Sequence, residues 1–328
     1  MTIIIKMDPN NPDIEKLKDV AKIAKNGGLV AFPTETVYGL GTNALNEQAV
    51  KRLFKVKQRP PDNPVSILIS NFGMIGTLAE INNIAKKLID EFFPGPITII
   101  MKKKKIVPSI VTANTDKVAI RMPDHKIALK IVELAETPLA TPSANLSGKP
   151  SPTKAEHVIE DFMGKIDVVV DGGKTGIGIE STVVDTTTQP VRIVRLGAIP
   201  VEDIESIVGK VEVIDAPSMK HPHYKPNAKL IVVFGKDAIE KIQELARKFK
   251  ESNLRVGVAV KYANSDIDCD ELVEMGDIRE YGRKLFNVLR EFDKEGIDVI
   301  IIEGVSGKGL ARSIEYRLKK AADEVIFL

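Results

Sequence analysis

Residues Leu139–Thr153 read LATPSANLSGKPSPT, a short apolar strand that passes at once into hydroxyls, one amide and prolines. Thr141, Ser143, Asn145, Ser147, Ser151 and Thr153 supply neutral donors and acceptors. Pro142, Pro150 and Pro152 stiffen the backbone, and Gly148 permits a turn at positive φ. A stiff polar loop at the end of a buried strand loses little entropy when it takes a polar ligand. The same composition also makes an ordinary turn leading into a helix near Lys154. Strand, polar loop and helix together form the unit from which α/β folds are built, and the chain repeats that unit in both directions.

Upstream, His125–Leu134 has helical spacing, and Val118–Met122 is an apolar strand with Arg121 inside it. Strand Ile97–Met101 ends in the run Lys102–Lys105, read as a solvated strand end, and follows a helix near Asn82–Phe93. Further back stand strand Thr2–Ile5, a helix over Asn11–Lys25 stopped by Gly27-Gly28, and strand Leu29–Phe32. The aperiodic run Pro33–Gly41 (PTETVYGLG) follows, then a helix capped by Asn46 and ending at Lys57. The turn Arg59–Pro64 leads to strand Val65–Ile69.

Downstream, the spacing predicts helix Ala155–Phe162, strand Ile166–Val170, the glycine-rich Gly172–Gly178, strands Ser181–Val184 and Val191–Arg195, and helix Val201–Val208. Asp215–Asn227 (DAPSMKHPHYKPN) has three prolines and no periodicity, as a linker does. Plain alternation then begins: strand Leu230–Phe234, helix Ala238–Lys250, strand Arg255–Val260, helix Ile278–Lys294, strand Val299–Ile302, helix Leu310–Ala321 and strand Val325–Phe327. That is a small doubly wound, Rossmann-like α/β unit. The expected division is a first domain over 1–209, a Pro-rich linker over 210–228 and a second domain over 229–328. At 328 residues the chain is comfortable for two cores.

Composition excludes several classes. With 43% hydrophobic and 28% charged residues the chain has ordinary globular composition, and its net charge of +2 does not by itself imply a nucleic-acid partner. Cys269 is the one cysteine, so neither an intrachain disulfide nor a thiolate metal cluster is possible. The start MTIIIKMDPN lacks a signal pattern and no apolar run approaches a membrane span, so a cytoplasmic protein is expected. Gly173-Lys174-Thr175 resembles the end of a P-loop, but Val168 stands where the leading glycine belongs. Gly176, Gly178 and Ser181 give only GxGxxS, and in Gly304–Gly309 the lysine is followed by glycine. His221 and His223 make a weak metal pair without carboxylates nearby, and no Ser/His/Asp set is readable.

What survives are polar stretches at strand and helix ends: Pro33–Gly41, Lys57–Pro64, Val118–Met122, Thr141–Thr153, Glu180–Asp185 and Arg192–Gly197. They offer the cations Lys57, Arg59, Arg121 and Arg195 beside many hydroxyls, with no obvious general base. Such a set suits an anionic, polyhydroxylated ligand such as a nucleotide with a carboxylate-bearing co-substrate.

PTETVYGLG, Lys57 to Pro64 (KxRPxxNP), TPSANLSGKPSPT and GIESTVVD closely resemble the YrdC-type threonylcarbamoyl-adenylate synthases. HYKPNA and GLARSIEYRLKKAA are similar to the long, two-domain (Sua5-like) form. The strand after Asn63-Pro64 reads Val65-Ser66-Ile67-Leu68, without the histidine that many relatives carry there. The resemblance implies a twisted mixed sheet with helices in the first domain. It also implies the reaction of L-threonine, bicarbonate or CO2, and ATP to threonylcarbamoyl-AMP and pyrophosphate. By the same resemblance Lys57 and Arg59 act on the phosphates, and Thr34, Ser66, Arg121, Thr141 and Ser181 hold threonine. Lys57, Arg59, Pro61, Ser143, Asn145, Ser151, Arg195, Tyr224 and Asn227 hold ATP. Mg2+ accompanies ATP, carried largely by phosphates and water. The product feeds a separate tRNA-modifying complex, with at most weak tRNA binding by this chain. The linker, with Tyr224 and Asn227 between prolines, is expected to serve as a lid as well as a tether. Two other classes remain open from the residues alone. One is an RNA-binding module with a basic cavity, which the 5% aromatic content and absence of Trp disfavour. The other is a regulatory small-molecule sensor.

Overall fold

The computed structural model describes residues 1–214, 224–263 and 266–328. The linker positions 215–223, with His221, His223 and most of the expected lid, lie outside them. Of the described residues, 1–147 and 151–214 form one compact unit; 148–150, 224–263 and 266–328 form a second.

The first unit runs β1 (Ile3–Lys6), α1 (Ile14–Lys25), β2 (Val30–Phe32), β3 (Gly39–Asn43), α2 (Glu47–Lys57), β4 (Ile67–Leu68), α3 (Gly73–Leu78), β5 (Ala79–Glu80) and α4 (Asn83–Phe92). It continues through β6 (Ile97–Lys103), β7 (Lys117–Arg121), α5 (Lys126–Ala135), β8 (Leu139–Ala140), α6 (Ala155–Phe162), β9 (Val168–Asp171), β10 (Thr182–Asp185), β11 (Val191–Arg195), α7 (Val201–Val208) and β12 (Val211–Val213). Helix starts are set by short polar side chains that satisfy orphan backbone N–H groups. Asp13 accepts from the amides of Glu15 and Lys16, Asn46 from Gln48 and Ala49, and Asn82 from Ala85. One apolar face of each helix is then buried: α1 presents Leu17, Val20, Ala21 and Ala24 to α5, which supplies Ile127, Ile131 and Val132. Full burial of each Leu, Ile or Val among them is worth about 1.5–3 kcal/mol.

The sheet order is β1-β9-β2-β3-β8-β4-β7-β6-β10-β11-β12, with β5 on β6, a mixed twelve-stranded sheet. Two insertions position the site. β9 enters between β1 and β2, parallel to both, and the two-residue β8 enters between β3 and β4, antiparallel to both. The loop after β8 is thereby laid beside Pro33–Gly41.

Several short elements escape the spacing. The expected loop Pro33–Gly41 ends in β3, whose glycines hide the alternation. A Cβ at Gly39 would stand 2.5 Å from Thr141 Cγ2, and one at Gly41 would stand 2.8 Å from the Phe32 ring. β4 is confined to Ile67–Leu68: before it the Val65 amide turns to the Val111 carbonyl, while after it the Ile69 amide still donates to the carbonyl of Arg121 of β7. α3, β5 and β12 are too short for a period to show, and β12, paired with β11, continues the first unit past 209.

The second unit holds β13 (Lys229–Phe234), α8 (Ala238–Glu251), β14 (Val256–Val260), β15 (Glu271–Glu274), α9 (Ile278–Lys294), β16 (Val299–Glu303), α10 (Leu310–Ala321) and β17 (Glu324–Phe327). All pairs in its sheet, ordered β15-β14-β16-β13-β17, are parallel. That is why its central strands read VGVAV and VIIIE, apolar on both faces. β15, with exposed and half-buried residues alternating at the edge, is the strand the spacing misses. Residues 148–150 belong to this unit: Arg290 donates Nε (3.0 Å) and Nη2 (2.7 Å) to the Pro150 carbonyl, and the Lys225 amide donates to that of Gly148.

Candidate active site

Pro33–Gly41 is the strut of the site. On one side the Leu40 amide donates to the Pro142 carbonyl, the Ala144 amide to that of Tyr38, and the Tyr38 amide to that of Pro152. On the other side the amides of Ile177 and Gly178 donate to the carbonyls of Glu35 and Thr36. The glycine-rich run after β9, rejected above as a phosphate fingerprint, therefore has a structural use. It is backbone partner to the strut.

At the end of β7, level with Leu68 of β4, Arg121 is 7% exposed and its Nη2 stands 2.7 Å from Glu35 Oε1. The two groups are in contact but not aligned as a hydrogen bond. Both Glu35 oxygens and the Arg121 Nε and Nη2 are buried without an aligned protein partner. His125, at the start of α5, has its Nδ1 buried in the same condition. Burial pushes the His125 imidazole below its usual pKa, against the opposing pull of the Glu35 and Asp124 charges. Buried polar groups in folded proteins are nearly always paired, so this concentration of open donors and acceptors marks a place built to receive a polar group.

Thr141 lies level with Ser66: its amide donates to the Ser66 carbonyl (2.8 Å) and the Ser66 hydroxyl to the Thr141 carbonyl (3.3 Å). The Thr34 hydroxyl is taken up in its own turn, donating to the Val37 carbonyl at 2.6 Å and accepting from the amides of Thr36 and Val37.

Lys57, the last residue of α2, is 1% exposed. Its Nζ donates to the carbonyls of Ser143 (2.5 Å) and Asn145, so its charge pins the loop after β8. Within that loop the Ser143 hydroxyl donates to Asn145 Oδ1 at 2.6 Å, and Gly148 takes the expected positive φ of 93°. Arg59 holds the RPPDNP turn through Asn63 and the Pro64 carbonyl, while Pro61 is exposed at its tip. Burial, then the neighbouring Arg195 charge, pull the Arg59 guanidinium down to about 10. Two cations that disfavour each other are a ready receptor for a polyanion.

Arg195, ending β11, donates Nε and Nη2 to the Ser181 carbonyl and Nη2 to the Ser181 hydroxyl, which also bonds Thr98 at 2.7 Å. The Ser151 hydroxyl donates to Glu180. Gly197 closes this corner: a Cβ there would stand 2.2 Å from the Thr182 nitrogen. Two surface cavities, of about 440 Å³ (Asn82–Ile84 and Thr186–Gln189) and about 550 Å³ (Gln243, Arg247 and Asp266–Cys269), are lined by none of these residues. The first has no ionisable side chain in its lining, and the second, with Arg247, Asp266 and Asp268, lies in the second unit rather than among the polar stretches of the first.

Residues 22–197 match the profile of the Sua5/YciO/YrdC family, described as telomere recombination. Residues 199–323 match the C-terminal domain of threonylcarbamoyl-AMP synthase. The chain belongs to the Sua5/YciO/YrdC family. It is 48% identical to the threonylcarbamoyl-AMP synthase of Pyrococcus abyssi, with 98% of each chain covered. It superposes on the crystal structure of P. abyssi Sua5 complexed with L-threonine at a TM-score of 0.95 and 46% identity, covering 100% of both chains. A putative threonylcarbamoyl-AMP synthase of Methanocaldococcus jannaschii is 39% identical over 203 residues, which is 96% of that protein but 61% of this one.

Of the residues singled out in the sequence, Thr34, Lys57, Arg59, Pro61, Ser66, Arg121, Thr141, Ser143, Asn145, Ser151, Ser181 and Arg195 all lie in the first unit of this family member. Tyr224 and Asn227 lie in the second. There the Tyr224 ring stacks on Phe286 (5.2 Å between centroids) with Arg317 over it, and the backbone N–H of Asn227 donates to the Asp293 carboxylate. Glu35 and His125 join this set only in the structure. The available signal for Glu35 was a carboxylate set among hydroxyls and glycines in PTETVYGLG, between two buried strands.

Proposed function

We propose that this chain is an L-threonylcarbamoyladenylate synthase, catalysing the first step of threonylcarbamoyladenosine formation on tRNA. The observation that carries this is the 48% identity across 98% of a chain named for that activity. In the reaction the threonine nitrogen takes up bicarbonate or CO2 as a carbamate. A carbamate oxygen attacks the α-phosphorus of ATP, the Pα–O bond to the β-phosphate breaks, and pyrophosphate leaves. The enzyme's task is to hold two anions in line and offset the charge of the leaving group.

Arg121 receives the threonine carboxylate in this reading, supported by a planar fork whose Nε and Nη2 have no aligned acceptor. Ser66, Thr141 and Ser181 line the remainder of the amino acid, and Thr34 contributes by shaping the turn that carries Glu35. Arg59 and Arg195, whose charges disfavour each other, are assigned to the polyphosphate. Lys57 acts beside them, fixing the loop whose Ser143, Asn145 and Ser151 meet the nucleotide. Pro61, Tyr224 and Asn227 are assigned to ATP by the resemblance alone.

Among the described residues no group of three or more His, Cys, Asp or Glu side chains is placed to hold a metal. A Mg2+ ion arriving with ATP would take phosphate oxygens and water as ligands. Among the described residues no helix is long and apolar enough to cross a membrane. The same reading assigns the reaction to the cytoplasm, delivery of the product to a tRNA-modifying complex, and at most weak, salt-sensitive tRNA binding at a net charge of +2. The test is pyrophosphate release from the purified chain. It should require ATP, L-threonine and bicarbonate together, and release without threonine would overturn the assignment.

A further inference from the structure

We infer that Glu35 is the residue that recognises the ammonium group of the amino-acid substrate, forming with Arg121 a two-charge receptor for the zwitterionic head of threonine. The inference rests on the synthase reading above and names a residue to which no role has been given.

A free amino acid enters with both charges. A buried site that met only its carboxylate would leave the ammonium desolvated and unpaired, which is costly. Two carboxylates of the polar stretch Glu180–Asp185 are otherwise engaged: Glu180 accepts from the Ser151 hydroxyl, and Asp185 is paired with Lys117 at 2.9 Å. Glu35 differs in its hydrogen bonding. It is ion-paired with Arg121 at 2.7 Å, but that contact is not aligned as a hydrogen bond and neither of its oxygens, shielded from solvent, has a hydrogen-bond partner. Arg121 has Nε and Nη2 without an aligned acceptor, although Nη2 lies against Glu35; these two atoms are the edge of the guanidinium that takes a carboxylate in bidentate fashion.

An α-carboxylate on that edge, with its ammonium turned to Glu35, closes a ring of alternating charges in which each group gains what it lacks. His125 supports the arrangement. Burial holds its imidazole below the usual pKa, so beside Glu35 it is a neutral dipole and not a cation competing with the substrate's ammonium. The backbone is committed to the same end, since the Glu35 carbonyl accepts from the Ile177 amide and the side chain's starting point is thereby fixed.

The receptor predicts selectivity for α-amino acids over α-hydroxy acids. Calorimetry on the full chain should compare L-threonine with 2,3-dihydroxybutanoate, in which a hydroxyl replaces the ammonium. We expect the wild type to prefer threonine by about 30-fold or more, the size of a charge-assisted hydrogen bond. In Glu35→Gln the preference should fall below about threefold, chiefly through lost threonine affinity, with ATP binding unchanged. Equal binding of the two ligands by the wild type, or an undiminished preference in a folded Glu35→Gln, overturns the proposal. Should Glu35→Gln not fold, Glu35→Asp carries the test. A reduced but surviving preference supports the role, and unaltered affinity for both ligands overturns it. A wild type that binds no threonine at all would instead overturn the synthase reading.

Discussion

Arg121 and Lys57 are both buried cations, yet they have opposite commitments. Lys57 donates to two loop carbonyls, whereas Arg121 is ion-paired off-line with Glu35 and leaves Nε and Nη2 without an aligned acceptor. Arg121→Lys keeps the charge and loses the fork. Threonine binding should therefore weaken by ~1.5–3 kcal/mol while ATP affinity holds, as calorimetry would show. Lys57→Met releases the carbonyls of Ser143 and Asn145, so turnover should fall by ~10²-fold or more. Threonine affinity should stay within about threefold, which separates this variant from Arg121→Lys in steady-state and binding measurements. His125 gives a pH signature. Its folded pKa lies below the ordinary 6.5, so the unfolded chain binds the proton first as pH falls. The stability from neutral His125 is present above about 6.5 and is lost as pH drops from there toward the folded pKa. Urea midpoints at pH 7 and pH 5 should differ more for the wild type than for His125→Gln.

At the scale of elements, the site depends on how closely β3 approaches the loop after β8. Gly39 is bridged to Ser143 and leaves no room for a methyl group against Thr141. Gly39→Ala should cost about 1–3 kcal/mol in denaturant unfolding, as overpacked sites do, and weaken threonine binding as Thr141 is displaced. Gly76, inside α3, has nothing within 4 Å of the place a methyl group would occupy. Gly76→Ala should be neutral or raise stability by up to about 1 kcal/mol, because alanine is the better helix former. The same substitution thus changes sign with its surroundings. Elements long enough to show a period were legible in advance: the helices Ala155–Phe162, Val201–Val208, Ile278–Lys294 and Leu310–Ala321, and the strand Val191–Arg195, have the predicted bounds. β3, α3, β5, β12 and β15 were not. Each is six residues or shorter, and glycine content or an edge position removes the alternation that would announce it.

At the scale of the whole molecule, each unit has its own core. One gathers Leu17, Phe32, Ile131 and Val168; the other gathers Ile231, Ile242, Val258 and Ile301. A fragment of residues 1–214, which keeps β12 on β11, should unfold in one cooperative transition and bind threonine within about threefold of the full chain. A fragment without a cooperative transition would show that the first core does not suffice. The sequence by itself determined the helix and strand periods, the Asn46 cap, the parallel character of the second sheet and the set of polar stretches that carry the family. These are local patterns, fixed by backbone hydrogen bonding and burial within a few residues. Only the tertiary structure decided that β8 enters between β3 and β4, that Lys57 holds carbonyls, and that Arg121 faces Glu35. Charges find their partners through the strand ends that the sheet sets side by side. That order is settled by burial summed over segments far apart in the chain, which no local pattern contains.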